Sequence, residues 1–559
     1  MNGLTLVVIS LIVLIAAYLL YGRWLVKTWG IDETARTPAY RFEDGQDFAP
    51  ASRFTVFAHQ FTSITGAGPV TGPIIAAMFG WVPAFLWLLI GGVFFGAVQD
   101  FTALYASVKN DGKSMGLLIE RYVGRTGRRL FLLFSWLFTL LVIAAFADII
   151  ANTFNGFNKD GAQNTPGAAA ASISMIYIFI AMAFGFFIRR ANPSEGKKLF
   201  IAVILIIAML AGGIAMPIYL SAAQWRYVVF AYCFIASVLP MWLLMQPRDY
   251  LSSFLLLGMI AGGVLGVVIT NPVIEAPAFV NFSVNNQPLF PILFITIACG
   301  AISGFHSLVS SGTSSKSISN ERDMLTVGYG AMLVEVMLGV VSLIIACSAA
   351  KLSGTPFQIF AGTVGGFFNM FGLPQNISVA IMTMCVSALA MTTIDSVARI
   401  GRMSLQELFV PSEGQEMSAL GKVLSNNYIA TALTLVLAYA LCLAGYASIW
   451  PLFGAANQLL AALVLVSLSV FLKMTGRKGW MLYVPMTFMF IVTMSALLIS
   501  VYNIIMKLVN NNFVFMVDGL QLIIALALMT LAVLVVSHCG RELVYGKPHD
   551  KNMAGAAAD

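Results

Sequence analysis

Charge is what this chain has least of. Only 10% of its 559 residues are Asp, Glu, Lys or Arg, against roughly a quarter in ordinary soluble domains, and that scarcity excludes a water-exposed globular protein of this length. Cysteine is scarce too. The six, Cys233, Cys299, Cys347, Cys385, Cys442 and Cys539, show no paired spacing, so they frame neither a disulfide scaffold nor a metal site and read as small buried hydrophobes. A phosphate-cradling G-x-x-x-x-G-K-[ST] loop is missing, which argues against direct drive by ATP. The longest connections between apolar runs, near 22–53 and 401–427, are too short to house a soluble enzyme domain.

Apolar residues, by contrast, make up 59% of the chain. Runs of about 20 recur along nearly all of it, each able to cross a hydrocarbon core of about 30 Å. The expected fold is an all-α polytopic membrane protein of about 15 transmembrane helices. The run from Leu4 to Leu20 has no basic residue before it and no cleavage site after it, and reads as a retained first span. With the N-terminus outside, all but Lys159, Arg226, Lys351 and Lys507 of the 31 basic residues fall on inner connections, which predicts an N-out, C-in topology. The net charge of +7 is then a topology determinant and a contact to the anionic lipid bilayer, not a nucleic-acid surface. The chain reads as a single transmembrane domain over 1–559. It comprises an extra N-terminal span within 1–30, a core over 54–400 and further spans over 428–540.

The stretch FTSITGAGPVTGPIIAAM, Phe61 to Met78, interrupts a predicted span with Gly66, Gly68, Pro69, Gly72 and Pro73. Unsatisfied backbone groups cost several kcal/mol each in hydrocarbon, so such a break survives only inside protein or beside a wet cavity. Unwinding there exposes N–H groups and a positive dipole end on one side and carbonyls on the other. Ser63, Thr65, Gly66, Ala67, Gly68, Pro69, Val70 and Thr71 are therefore candidate substrate-binding residues, although a kink for close helix packing would use the same residue types. A second interruption is expected in the seventh span, 227–245, at Pro240 with Pro247 just beyond. Two discontinuous helices of opposite direction suggest an inverted five-plus-five repeat of spans 2–6 and 7–11.

The ninth span, 289–315, carries SGFHSLVSSGTSS. Helical spacing puts Ser303, Ser307, Ser310 and Ser314 on one face, and with Ser311 and Thr313 they could line an ion path or merely bond back to their own helix. Ionisable groups inside spans are costly and mark candidate functional sites: Asp100, Asp395, Glu335 and His306, with Asp148 nearer an end. Glu335 is the first candidate for a proton relay and His306, also a candidate substrate contact, the next. Arg399 follows Asp395 by four residues and could bridge it within one helix. Asn457 and Gln458 read as helix glue, and the Gly-rich segment near 353–375 as a re-entrant or interfacial hairpin on the outer side.

HQFTSITGAGPVTGP, FGAVQDF, SGFHSLVSSGTSSKS followed by VGYGAMLVE, TTIDSVARIGR and WPLFGAANQLLAA together resemble the carbon starvation protein A family, from residue 50 to about 465. That resemblance implies uptake of peptides, or in some relatives pyruvate, across the bacterial cytoplasmic membrane, with a fold similar to the amino acid, polyamine and organocation transporters. The resulting expectation is a secondary active transporter of a peptide or small carboxylate, with no catalytic residue, cofactor or metal. Proton coupling is favoured and Na+ kept open; oligomeric state is not legible. Two other readings, an ion channel and an intramembrane lipid-carrier transferase, would need respectively a pore-lining filter and convergent acid/base groups.

Overall fold

A computed structural model describes all residues except 46, 159, 349–355, 371, 411–416, 512, 514–517 and 547–559. The chain is mostly helical, and the helices central to the description are numbered here in chain order. The first nine are α1 (Gly3–Trp29), α2 (Arg53–Ile64), α3 (Gly68–Ala76), α4 (Trp81–Val108), α5 (Arg125–Thr153), α6 (Thr165–Ala191), α7 (Glu195–Ala215), α8 (Ala222–Val238) and α9 (Met245–Thr270). They are followed by α10 (Leu289–Thr296), α11 (Gly304–Gly312), α12 (Glu321–Ser348), α13 (Pro356–Met370), α14 (Gln375–Phe409), α15 (Asn427–Cys442), α16 (Tyr446–Met474), α17 (Trp480–Val509) and α18 (Leu520–Tyr545). Among the described residues, 11 helices are long and apolar enough to cross a membrane. Lys159 and Lys351, two of the basic residues assigned to the outer side, lie outside the described residues.

Burial sorts the helices into a centre and a rim. α5, α12, α14 and α16 are largely buried, whereas α1, α7, α17 and α18 leave most of their apolar surface uncovered. Phe200, Ile207, Val484 and Ile523 are examples of large exposed apolar side chains on the rim, which is the pattern of helices facing lipid. Helix starts follow local chemistry: the Ser221 hydroxyl and Gln224 form a capping box at α8, and Asn426 accepts backbone N–H bonds at α15, each satisfying donors a first turn leaves free.

Two helices are broken in their middles. α2 ends at Ile64 and α3 restarts at Gly68; α10 ends at Thr296 and α11 restarts at Gly304. Pro69 sits in the first turn of α3, where its missing N–H costs nothing and its fixed φ favours a new start. The breaks press on each other. A Cβ on Gly68 would lie 2.5 Å from Cys299 Cβ, and one on Gly72 would run into the Thr296 carbonyl, so this approach is open only to glycine.

The second discontinuity thus falls in the ninth expected span and not the seventh. Pro240 lies in the turn between α8 and α9, and Pro247 in the first turn of α9, where each proline ends or starts a helix without interrupting one. The ninth span is also not one hydroxyl-lined helix: Ser303 precedes α11, and Ser314 belongs to the short 3₁₀ turn Ser314–Lys316. Of the expected hairpin near 353–375, part lies outside the described residues; Pro356–Met370 is a single helix. Gly262 and Gly266 of α9 face the Phe368 and Phe367 rings of α13.

Candidate functional site

At the first break the two ends differ. The carbonyls that close α2 are taken: the Thr392 hydroxyl donates to Thr62 O (2.7 Å) and the Thr393 hydroxyl to Ser63 O (3.2 Å). The α3 end has no side-chain cap, so the Gly68 and Val70 N–H groups point along a positive helix end with no side chain to neutralise it. Such an end favours an anion. Thr71, in the first turn, borders a cavity of about 810 Å³ that is also lined by Ile75, Asp148, Asn152, Tyr446 and Trp450. Pockets for small-molecule ligands fall in the range of about 300–1,000 Å³.

Beside the second break lies a buried cluster of ionisable groups. His306 Nδ1 is 3.0 Å from Asp100 Oδ2, and His306 Nε2 is 3.6 Å from Glu335 Oε2. All three side chains are 0% exposed. α11 brings the imidazole, α4 and α12 one carboxylate each, and the ring stands beside the Ile64 carbonyl that ends α2. Both Glu335 oxygens, Asp100 Oδ1, His306 Nε2, Ser307 Oγ, Gln99 Oε1 and Thr65 Oγ1 are buried without a hydrogen-bond partner. Buried polar atoms are rarely left this way, and a concentration of them calls for an explanation such as a ligand, an ion, water or a mobile proton. With His306 protonated and both carboxylates ionised the cluster carries one negative charge, and one further proton neutralises it.

A second buried cluster sits around the other end of α2. Arg248 forms ion pairs with Asp249 and with Asp395. The Tyr232 hydroxyl donates to Asp395 Oδ2 at 2.6 Å, and His59 lies 2.6 Å from Asp249 through Nδ1 and 2.9 Å from Thr313 Oγ1 through Nε2. Two sequence expectations are corrected here. Asp395 does not bridge Arg399 along its own helix, because Arg248 of α9 reaches it; Arg399 instead pairs with Asp47 at 3.0 Å. Arg248, counted above on an inner connection, is 1% exposed within α9. Burial raises the Asp47 carboxyl while Lys316, Arg399 and Arg402 pull it down, and it ends below the usual carboxylate range.

The expected site residues therefore divide. Thr65, Gly66 and Ala67 form the first break, with Ser63 just before it and Gly68, Pro69, Val70 and Thr71 opening α3. Asp100, His306 and Glu335 come together, whereas Asp395 stands apart from them. The hydroxyls expected to form an ion path are mostly engaged. Gln60 donates to Ser310 Oγ (2.8 Å) and accepts from Ser314 (2.6 Å), Ser311 bonds back to Ser307 O (2.7 Å), and Thr313 meets His59. Only Ser307 of this set is buried without a partner. Among the described residues no group of three or more His, Cys, Asp or Glu side chains is placed to hold a metal ion.

Sequence reasoning missed His59, Gln60, Asp249 and Gln99, and it gave Asn457 and Gln458 too small a part. Asn457 Oδ1 accepts from the Ser303 hydroxyl and the Phe305 N–H, each at 3.1 Å, and Gln458 Nε2 donates to Ile302 O at 3.1 Å. These amides of α16 hold the second break open. The visible signal was an amide pair in an otherwise apolar run, FGAANQLLAA.

Two facing helix breaks lie inside a many-helix membrane fold. The crystal structure of a manganese transporter from Eremococcus coleocola shares it, with a TM-score of 0.50, 11% identity, and coverage of 89% of this chain and 99% of that one; at that identity the fold alone is common. The chain belongs to the family described as Carbon starvation protein CstA, matched over residues 2–354 and 348–496. It is 32% identical to the peptide transporter CstA of Escherichia coli (strain K12), covering 89% of this chain and 80% of that protein. It is 31% identical to the peptide transporter CstA of Bacillus subtilis (strain 168), over 88% and 89%. A third relative is the pyruvate/proton symporter BtsT of Escherichia coli (strain K12), 30% identical over 90% and 82%. All three curated relatives are named transporters and not enzymes.

Proposed function

We propose that this protein is a proton-coupled secondary transporter that takes up peptides or small carboxylates such as pyruvate across the bacterial cytoplasmic membrane by alternating access. The observation that carries the reading is the Asp100–His306–Glu335 cluster, buried and short of partners, set beside the carbonyl that ends α2. A substrate carboxylate would take the free N–H groups at the start of α3, and a proton would settle on the cluster. Each binding event would remove a buried unmet demand next to a helix break, which is how two ligands come to favour one conformation.

The names of the relatives support both substrate classes and, for BtsT, the proton. The hydrogen bonds that occupy Ser310, Ser311, Thr313 and Ser314 favour a proton over Na+, since a hard cation needs several free oxygens. The architecture we infer counts the two broken helices, α8 and α15 as crossings together with the 11 long helices, in an N-out, C-in arrangement. Six helices, α4 to α9, separate the broken ones, so alternate threading runs them in opposite directions, as in inverted repeats, but the interval is seven spans and not the five that a repeat of spans 2–6 and 7–11 would give. The cavity at Thr71 is then the outer mouth. The Arg399–Asp47 and Lys109–Glu321 pairs, at 3.0 and 2.7 Å, help close the inner one.

Counterflow tests the reading. Purified protein in liposomes loaded in turn with dipeptides, tripeptides, pyruvate or amino acids should exchange labelled substrate for a peptide or a small carboxylate. Exchange of none of them would overturn the proposal.

A further inference from the structure

His59 is the one buried ionisable group of α2, and the proton coupling proposed above makes no use of it. Its surroundings define its proton count through ordinary donor and acceptor accounting. Asp249 Oδ1 accepts from the Arg248 guanidinium through Nε at 2.9 Å and again through a terminal nitrogen, so Asp249 is an ionised carboxylate, and its Oδ2 can only accept from His59 Nδ1 at 2.6 Å. On the other side of the ring, Thr313 Oγ1 has a single hydrogen with two acceptors in reach, Val309 O at 3.0 Å and His59 Nε2 at 2.9 Å. With that hydrogen on Val309 O, Thr313 accepts from Nε2 and both ring nitrogens donate.

Charge balance selects that arrangement. Arg248 contributes one positive charge, and Asp249 and Asp395 two negative ones, all within a few ångströms and at most 1% exposed. Without a further cation this cluster would bury one net negative charge in the membrane-spanning bundle, at a cost of several kcal/mol. Charges and titratable groups from the surrounding helices do not supply it. Lys198 of α7 bonds Thr55 and lies over the Tyr250 ring, Lys316 lies over Phe48, and Arg399 of α14 turns to Asp47. Tyr232 of α8 donates a neutral hydroxyl to Asp395, Tyr177 of α6 bonds Ser252 and the Arg248 carbonyl, and Glu335 of α12 faces His306.

We infer that His59 is a second proton-binding site of this protein, separate from the Asp100–His306–Glu335 cluster, and that in this conformation it carries both ring protons. The bound proton ties α2 to Asp249 of α9 and to the end of α11. Any movement that parts α2 from α9 would strand an imidazolium away from its carboxylate, so the proton must leave as the helices separate. That last step rests on the transporter reading; the protonation itself does not.

The test is a two-bond 1H–15N spectrum of the full-length chain, labelled with 15N-histidine, in lipid nanodiscs at pH 7.5. The chain has four histidines, His59, His306, His538 and His549. The His59 signals are those lost in His59→Gln or, if that variant does not fold, those that remain after His306→Gln and the pair His538→Gln, His549→Gln are compared with the parent. The expected result is two protonated ring nitrogens on His59, with loss of one proton in Asp249→Asn. A bare ring nitrogen on His59 in the parent overturns the inference. A failure of counterflow in liposomes would strike the transporter reading and leave this spectrum unchanged.

Discussion

The two buried ionisable clusters use the same chemistry to opposite ends. Around Arg248, both carboxylates, the guanidinium, the tyrosine hydroxyl and the imidazole all meet partners. Around Glu335, the same kinds of side chain, equally buried, leave seven side-chain atoms in and around the cluster without one. A satisfied network fixes a conformation, because moving any member exposes a charge to a low dielectric. An unsatisfied one is stable only at a cost that binding can relieve. The first therefore ties α2, α9 and α14 together for as long as His59 keeps its proton, and the second holds the unmet demand on which the proposed proton coupling rests.

The largest effect that distinguishes them should come from Arg248→Ala. It strands Asp249 and Asp395, and losing one partner of a buried pair costs about 3–5 kcal/mol. The expected result is a large fall in the thermal midpoint in detergent or no folded protein. Glu335→Gln loses no hydrogen bond of its own, and should shift the same midpoint by about 1 kcal/mol or less. Equal losses in the two variants would remove the distinction.

Next in size are the glycines at the first break. Gly68→Ala places a Cβ 2.5 Å from Cys299 Cβ, whereas Gly66→Ala meets Phe146 and Thr393 at 3.1 Å. Uptake should fall by about tenfold or more in Gly68→Ala and by only a few-fold in Gly66→Ala, since misplacement of about 1 Å at a site of this kind can cost that much. Adding Cys299→Gly to Gly68→Ala should restore part of the loss, and Leu at either position should abolish uptake while the protein stays in the membrane. Equal uptake in the two alanine variants would contradict the close approach of the breaks.

Ser310→Ala should act more weakly. It leaves Gln60 Nε2 without its acceptor, a loss of about 1–3 kcal/mol in stability, and sodium should not alter uptake in parent or variant. The smallest effect belongs to Asp47→Asn, at a partly exposed ion pair with Arg399. Because the Asp47 carboxyl is held below the usual carboxylate range, its contribution is present at neutral pH and fades as pH falls through that depressed value. The thermal midpoints of parent and variant should differ slightly at pH 7 and converge in strong acid.

How much of this was legible in the sequence depends on how local the cause is. The first break is written in Gly66, Gly68 and Pro69, residues that terminate and restart a helix by themselves. The second is not: Ala298 to Ser303 contains one glycine and no proline, and its conformation is imposed by Asn457 and Gln458, about 155 positions away in the chain. Pro240 and Pro247 carried the stronger local signal and mark only a turn and a helix start. The i, i+4 spacing of Asp395 and Arg399 was equally misleading, because both side chains find partners on other segments, Arg248 and Asp47. Asp100, His306 and Glu335 could each be singled out as costly inside a span. Their meeting at one point depends on how α4, α11 and α12 pack, which no spacing encodes. Family membership was carried by long ordered motifs and needed no three-dimensional argument.

The most direct test of the central claim is uptake into proteoliposomes driven by a pH gradient alone, with parent protein and Glu335→Gln measured side by side and counterflow as the control for binding. Gln keeps the shape of the side chain but cannot titrate. The account predicts that the parent accumulates substrate and that the variant still exchanges it but no longer accumulates it. Accumulation in Glu335→Gln equal to the parent, or accumulation by the parent with an inward Na+ gradient and no pH gradient, would contradict it.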